Sequence, residues 1–198
     1  MEAMADSLRE RLRAVLQPFD QVALQPEDAD GRPAAVLIPV LERDDPAVVF
    51  TKRTDDLPRH PGEISFPGGL RHDEDADLLE TALRETEEEL GLSRSDVDVL
   101  GALDPFLTYT TGFWVTPVVG AVHGNPVFTP NPGEIAEVLE FPLSRLDAVE
   151  AEVEWRRGDQ VWAGFVYELE GHTIWGATGR MLHELLEVLR KESPWTPV

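Results

Sequence analysis

Residues 34–53 read AAVLIPVLERDDPAVVFTKR, and no other stretch limits the fold so tightly. Two β-rich runs, AAVLIPVL (34–41) and AVVFTKR (47–53), flank the turn-like RDDP and predict an antiparallel pair of strands. Further strands are expected at DVDVLGAL (96–103), FWVTPVVGAV (113–122) and EVLEFPL (137–143). EVEWRRGDQVWAGFVYEL (152–169) reads as a hairpin turning near Gly158 and Asp159, and EISFPGG (63–69) as a short extended piece ending in a turn. Apolar spacing predicts an N-terminal helix at about residues 6–17, carrying Leu8, Leu12, Val15 and Leu16 on one side. A closing helix is expected at about 178–191, with Leu182, Leu185, Leu186 and Leu189 as its stripe. Strands outnumber the helices that flank them. The expectation is an α/β fold, an α/β/α sandwich around a central mixed sheet, with all 198 residues in a single domain.

Composition narrows the partners. The formal charge is −21, which opposes binding to nucleic-acid backbones and to anionic membranes. Only Lys52 and Lys191 among the 17 basic residues are lysines. The absence of cysteine removes disulfides and thiolate metal sites. No apolar run reaches the roughly 20 residues of a membrane span, and the N-terminus lacks a signal-peptide core. A cytoplasmic location is therefore expected, with a small-molecule substrate as partner and a monomer or homodimer as the assembly. An anionic ligand would need local arginines or metal cations to offset the general repulsion.

Residues 84–91, RETEEELG, carry their charge against the helix dipole. A helix is expected from an N-cap at Asp77 to Gly91, with Leu79, Ala82, Leu83, Thr86 and Leu90 on one side. Acids at its C-terminal end are each disfavoured by about 0.3–1 kcal/mol. Glu85, Glu88 and Glu89 share an arc of about 100° beside the apolar stripe. Glu80 and Glu87 lie elsewhere, and Arg84 is spaced to pair with Glu80 or Glu88. Three carboxylates on one turn form a hard-oxygen set suited to Mg²⁺ or Mn²⁺, and a divalent cation would reverse both repulsions. A solvated acidic face is the competing reading.

The surrounding string decides between them. GGLRHDEDADLLETALRETEEELGL resembles the Nudix box, a loop–helix–loop motif of pyrophosphohydrolases. Gly69 begins it, and Arg84, Glu85, Glu88, Glu89, Gly91 and Leu92 match its second half position by position. Asp75 stands where the motif has its first Glu, the spacing to Arg84 is one residue longer, and Thr86 replaces an apolar residue. The longer spacing with Asp resembles the coenzyme A pyrophosphatase subgroup. Thr51, Arg53, Leu57, Arg59, His60, Gly62, Phe66, Pro67, Gly68 and Gly69 match the signature that precedes the box in that subgroup, with Pro58 departing from it. IWGATGRML (174–182) is similar to its Ile-Trp-Gly-any-Thr ending, with Gly179 where Ala is commoner.

The resemblance implies a Mg²⁺- or Mn²⁺-dependent hydrolase that cleaves coenzyme A or its thioesters at the diphosphate. Glu85 and Glu89 are then metal ligands, Glu88 a ligand or an aid to deprotonating water, and Arg84 an orienting residue. Glu134 and Glu137 are candidates for the general base, against a plain role in a solvated loop. Arg53, Arg59 and His60 are candidates for reading the 3′-phosphate, and the Gly68-Gly69 backbone can approach a ligand closely. Arg53 could instead pair with Asp55 or Asp56, and His60 could be a turn residue. His123, His172 and His183 stand apart and suit structural roles, while Trp114 or Trp175 could stack on adenine. A broader nucleoside-diphosphate hydrolase acting on ADP-ribose or NADH is the alternative, and a non-catalytic binding module is the rival of another class.

Overall fold

The computed structural model describes residues 7–22, 31–57, 60–108, 111–157 and 160–192. Helix α1 (Leu8–Val15) begins on a capping box in which Ser7 and Glu10 bond each other's backbone amides. The first long strand, β1 (Arg32–Leu41), pairs antiparallel with β2 (Ala47–Arg53) at Val40–Val48 and Leu41–Ala47, as expected for the RDDP turn. Two short strands follow, β3 (Ile64–Ser65) and β4 (Gly68–Leu70). After them come α2 (Leu78–Leu90), β5 (Val97–Ala102), β6 (Phe106–Leu107) and β7 (Phe113–Val122). The chain continues through β8 (Ile135–Pro142), α3 (Leu143–Val149), β9 (Glu150–Arg157), β10 (Gln160–Leu169), β11 (His172–Ile174) and α4 (Gly176–Glu192). The turn expected at Gly158 and Asp159 lies outside the described residues.

Strands β1 and β7 run parallel along ten residue pairs, and the other pairings in their eight-stranded sheet are antiparallel, so the sheet is mixed. Strands β9, β10 and β11 form a separate three-stranded sheet. Alternation along each strand divides the core between two faces. On one face Ala35, Leu37 and Val118 meet Leu78 and Ala82 of α2. On the other, Ile38, Val48, Phe50 and Val119 pack with Leu12 of α1, Leu182 and Leu185 of α4, and Tyr167 and Ile174 of the smaller sheet. The α/β/α layering of the sequence reading is thus present, with the small sheet added to one outer layer. Among the described residues no helix is long and apolar enough to cross a membrane.

One detail places the site. Strand β2 stays beside β1 for only two pairs, and its far end pairs instead with β3 through Thr51–Ser65 and Lys52–Ile64. Strand β4 pairs with the other half of β1, from Ala34–Leu70 to Val36–Gly68. The segment EISFPGGL therefore fills a fork between β1 and β2. Gly68 and Gly69 form a strand here, where the sequence suggested a turn. A Cβ on Gly68 would sit 2.4 Å from the Ala35 carbonyl oxygen, so the first glycine is demanded by backbone packing.

Candidate active site

Helix α2 crosses the fork. Asp77 caps its start by accepting from the Glu80 amide at 2.8 Å, and Gly91 ends it with φ 66°, a left-handed conformation that suits glycine. The segment 129–134 lies across that end. The Thr129 amide donates to the Leu90 carbonyl at 2.8 Å and the Asn131 amide to the Glu89 carbonyl at 2.9 Å. Two otherwise open carbonyls of the last turn are thereby satisfied.

The buried face of α2 consists of Leu78, Thr81, Ala82, Thr86, Glu89 and Leu90, while Leu79 and Leu83 are only partly covered. The apolar stripe read from the sequence is thus rotated, and its most informative member is an acid. Glu89 is 5% exposed, and its Oε2 has no hydrogen-bond partner. Burial pushes its pKa up to about 8, aided by the negative charge of Glu85 and more weakly by Glu134, against the opposing pull of Arg53 and the Gly68 amide. Glu85 is raised too, chiefly by burial and against the stabilising contact from Arg84. A buried carboxylate with an unpaired oxygen beside a second carboxylate fits a cation between them.

Glu88 behaves differently. Its side chain is 59% exposed and turned to Arg84 Nη1 at 3.3 Å. Among the described residues no three carboxylates or imidazoles converge at ligand spacing. Of the three acids on the shared arc, Glu89 is buried, Glu85 is partly covered and Glu88 stands exposed at the rim, with Arg84 Nη1 bridging Glu85 and Glu88 at 2.9 and 3.3 Å. Glu87 and Glu80 point away and meet Arg94, at 3.6 and 2.7 Å.

Arg84 pairs with neither Glu80 nor Glu88 alone. It forms a two-pronged bond with Asp75, Nε to Oδ1 at 2.8 Å and Nη2 to Oδ2 at 3.0 Å, and its Nη1 holds Glu85 at 2.9 Å. Asp75 is 4% exposed and also accepts from Thr81 Oγ1 and the His72 amide, both at 2.9 Å. The Arg84 guanidinium holds the Asp75 carboxyl far below the usual carboxylate range, and Asp75 in turn raises Arg84. The Asp that departs from the box pattern is thus the anchor of the arginine that positions Glu85.

Gly69 completes the seat. A Cβ there would fall 2.6 Å from the Glu85 carboxyl carbon, the movable end of a flexible side chain. Gly69→Ala should therefore fold with little loss of stability but displace Glu85. Turnover should drop about tenfold, a change typical of lost ligand support, while the melting temperature moves by no more than a few degrees. A thermal melt and an activity assay on one preparation check this outcome.

Other candidates separate clearly. Arg53 ends β2 on the Glu89 side; its Nε is buried without a partner, and neither Asp55 nor Asp56 pairs with it among the described residues. Glu134 stands in the segment docked on α2, with its carbonyl accepting from the Thr54 amide at 2.9 Å. Glu137 faces Lys52 at 3.8 Å and His172 at 4.0 Å, so it belongs to a different cluster. His60 has φ 53° and its Nδ1 lies 2.7 Å from Glu63, the turn arrangement weighed above. Arg59 lies outside the described residues. Trp114 buries its indole nitrogen without a partner, whereas Trp175 is 49% exposed.

Sequence reasoning missed the Asp75–Arg84 pair and the burial of Glu89. A signal for the first was present, since an Asp in place of the box's first Glu still offers a carboxylate to the box arginine.

Comparison with known proteins identifies the family. The NUDIX domain profile matches residues 31–161. A protein of Citrobacter koseri described as an uncharacterized Nudix hydrolase, NudL, is 40% identical over 164 residues, covering 80% of this chain and 83% of the relative. NudL of Pectobacterium atrosepticum is 37% identical over 156 residues, covering 78% and 81%. Among solved structures, the Nudix hydrolase RenU from M. smegmatis aligns with a TM-score of 0.53 at 16% identity, over 81% of this chain and 87% of that one, a likeness that bears on the fold alone. Nudix hydrolases act on small-molecule nucleotide substrates and generally use divalent metal ions. With a family profile over most of its length and the box glutamates gathered on one helix end, this chain belongs to the Nudix family of hydrolases acting on phosphoanhydrides.

Proposed function

We propose that the chain is a Mg²⁺- or Mn²⁺-dependent diphosphatase that cleaves coenzyme A or an acyl-coenzyme A to 3′,5′-ADP and 4′-phosphopantetheine or its acyl form. The observation that carries the metal-dependent reading is the buried Glu89 with its unpartnered oxygen, beside Glu85 on Gly69. The substrate rests on the match of residues 51–69 to the coenzyme A signature, in which Arg53 has a buried, unpartnered Nε and a charge that acts on Glu89.

In this reading Glu85 and Glu89 would hold the cation, and Glu88 would join them on leaving Arg84. The bound cation would neutralise the diphosphate oxygens and acidify a water. Arg84, fixed by Asp75, holds Glu85 in the orientation in which it would meet the cation, without touching substrate. Arg53 binds a phosphate oxygen, and the Gly68-Gly69 backbone forms the floor of the site. Glu134 takes the proton of the attacking water, whose oxygen adds to one phosphorus as the bridging P–O bond breaks. Each product leaves with one of the two phosphates.

A substrate panel with Mg²⁺ and Mn²⁺ tests the assignment. Coenzyme A should give 3′,5′-ADP with a higher kcat/KM than ADP-ribose or NADH. Turnover of ADP-ribose or NADH without coenzyme A cleavage would move the assignment to the broader hydrolase. No turnover of any of them would favour a binding module.

A further inference from the structure

On the sheet face away from Glu89, a cavity of about 350 Å³ opens beside the end of β2. Lys52, Gly62, Glu63, Ile64, His172 and Trp175 line it. Lys52 and Arg53 are consecutive on one strand, so their side chains leave on opposite faces. The cavity and the glutamate site thus share one end of the sheet, separated by a rim where the Arg53 amide donates to the Glu63 carbonyl at 3.0 Å.

Trp175 is held in place rather than left loose. Trp155 packs against it with ring centroids 6.4 Å apart at 52°, and Trp155 has room only because position 164 is glycine, where a Cβ would lie 2.3 Å from its ring. Ile174 is fully buried on one side, and Thr178 donates to the Ile64 carbonyl at 3.1 Å on the other, fixing the segment against β3. The result is a half-exposed indole on a rigid mount, which is what stacking on a planar ring requires. The polar groups around it are mixed in sign. Lys52 and Glu63 both line the cavity, Glu137 lies within 4.0 Å of both Lys52 and His172, and His60 Nδ1 lies 2.7 Å from the Glu63 carboxylate. Such walls carry no excess positive charge to draw a phosphate, but offer both donors and acceptors to the edge of a neutral heterocycle.

We propose that this cavity is a nucleobase subsite, with the base stacked on Trp175 and an exocyclic amino group donating to Glu63. The base is that of the substrate's nucleotide half, reaching over the rim from the diphosphate site; this source rests on the function proposed above. The Ile-Trp-Gly segment near the C-terminus thereby acquires a task, and Trp175 rather than Trp114 is the stacking residue.

Calorimetric titration of metal-free protein with AMP and with ribose 5-phosphate tests the subsite without turnover. AMP should bind the parent more tightly than ribose 5-phosphate. Trp175→Ala should weaken AMP by about tenfold and leave ribose 5-phosphate unchanged, with Trp175→Phe restoring most of the loss. The KM for coenzyme A should rise by a similar factor in Trp175→Ala. Equal AMP affinity in parent and Trp175→Ala, or no preference for AMP over ribose 5-phosphate, would overturn the subsite. IMP binding as tightly as AMP would overturn the role of Glu63, and an unchanged KM would overturn the substrate as the source of the base. Failure of the parent to hydrolyse coenzyme A, with the AMP differences intact, would instead remove the substrate assignment and leave the subsite standing.

Discussion

Glu89→Gln will lower turnover by about a hundredfold or more, because in the proposed site it removes one of the carboxylates that would hold the cation. The same change will stabilise the metal-free protein at pH 8. Burial pushes the Glu89 pKa in the fold up to about 8, from an ordinary value of 4.5. Between those values the folded chain holds more protons than the unfolded one, so stability falls as pH rises. That contribution is fully present below the ordinary value and gone above the folded one. Melting curves of metal-free parent should therefore shift down between pH 5 and pH 8, roughly the window set by the raised pKa. Glu89→Gln should flatten the profile, and saturating Mn²⁺ should flatten it in the parent by occupying the charged site. A parent profile that stays level across this window, or a Gln variant that keeps full activity, would remove the buried-charge account.

Asp75→Ala should be the most destabilising single change near the site. It leaves Arg84 without its bidentate partner in a place where Asp75 is 4% exposed. Removing one member of a buried pair costs about 3–5 kcal/mol, far beyond an exposed ion pair. Activity should fall as well, since the freed Arg84 can swing further onto Glu85 or Glu88. The acid side of the stability profile carries the same information with the opposite sign from Glu89. The folded Asp75 carboxyl is depressed, so its contribution is present above the ordinary carboxylate range and lost as pH falls through it toward the folded value. Urea denaturation of parent and variant at neutral pH measures the loss directly. A difference under about 1 kcal/mol would mean that the pair contributes no more than a surface salt bridge.

How far the sequence could be read depended on the range of each interaction. The β1 and β2 runs announced themselves because a strand's composition and a short turn are local properties. Helix α2 was equally plain, with Asp77 and Gly91 marking its ends. The parallel pairing of β1 with β7 joins segments far apart in the chain, and no local pattern specifies it. Gly68 and Gly69 looked like a turn because glycine pairs usually make one. Here one glycine admits the backbone of β1 and the other admits the Glu85 carboxylate.

The site divides along the same line. The glutamates of α2 were legible from helical period and box spacing, yet period alone could not tell that Glu89 is buried while Glu88 is exposed. Helical spacing sent Arg84 to Glu80 or Glu88, whereas its strongest partner is Asp75 in the preceding loop. Glu134 and Glu137 were equal candidates in the sequence. The docking of segment 129–134 on α2 brings the charge of the first to bear on Glu89, and strand pairing turns the second toward Lys52.

The central claim is that Glu85 and Glu89 form a cation site at the end of α2. Electron paramagnetic resonance of free Mn²⁺, titrated with parent and Glu89→Gln protein, tests it without assuming a substrate. The parent should bind Mn²⁺ more tightly at pH 8 than at pH 6, because the Glu89 proton competes, and Glu89→Gln should weaken binding by at least about tenfold. Equal Mn²⁺ affinity in the two proteins would contradict it.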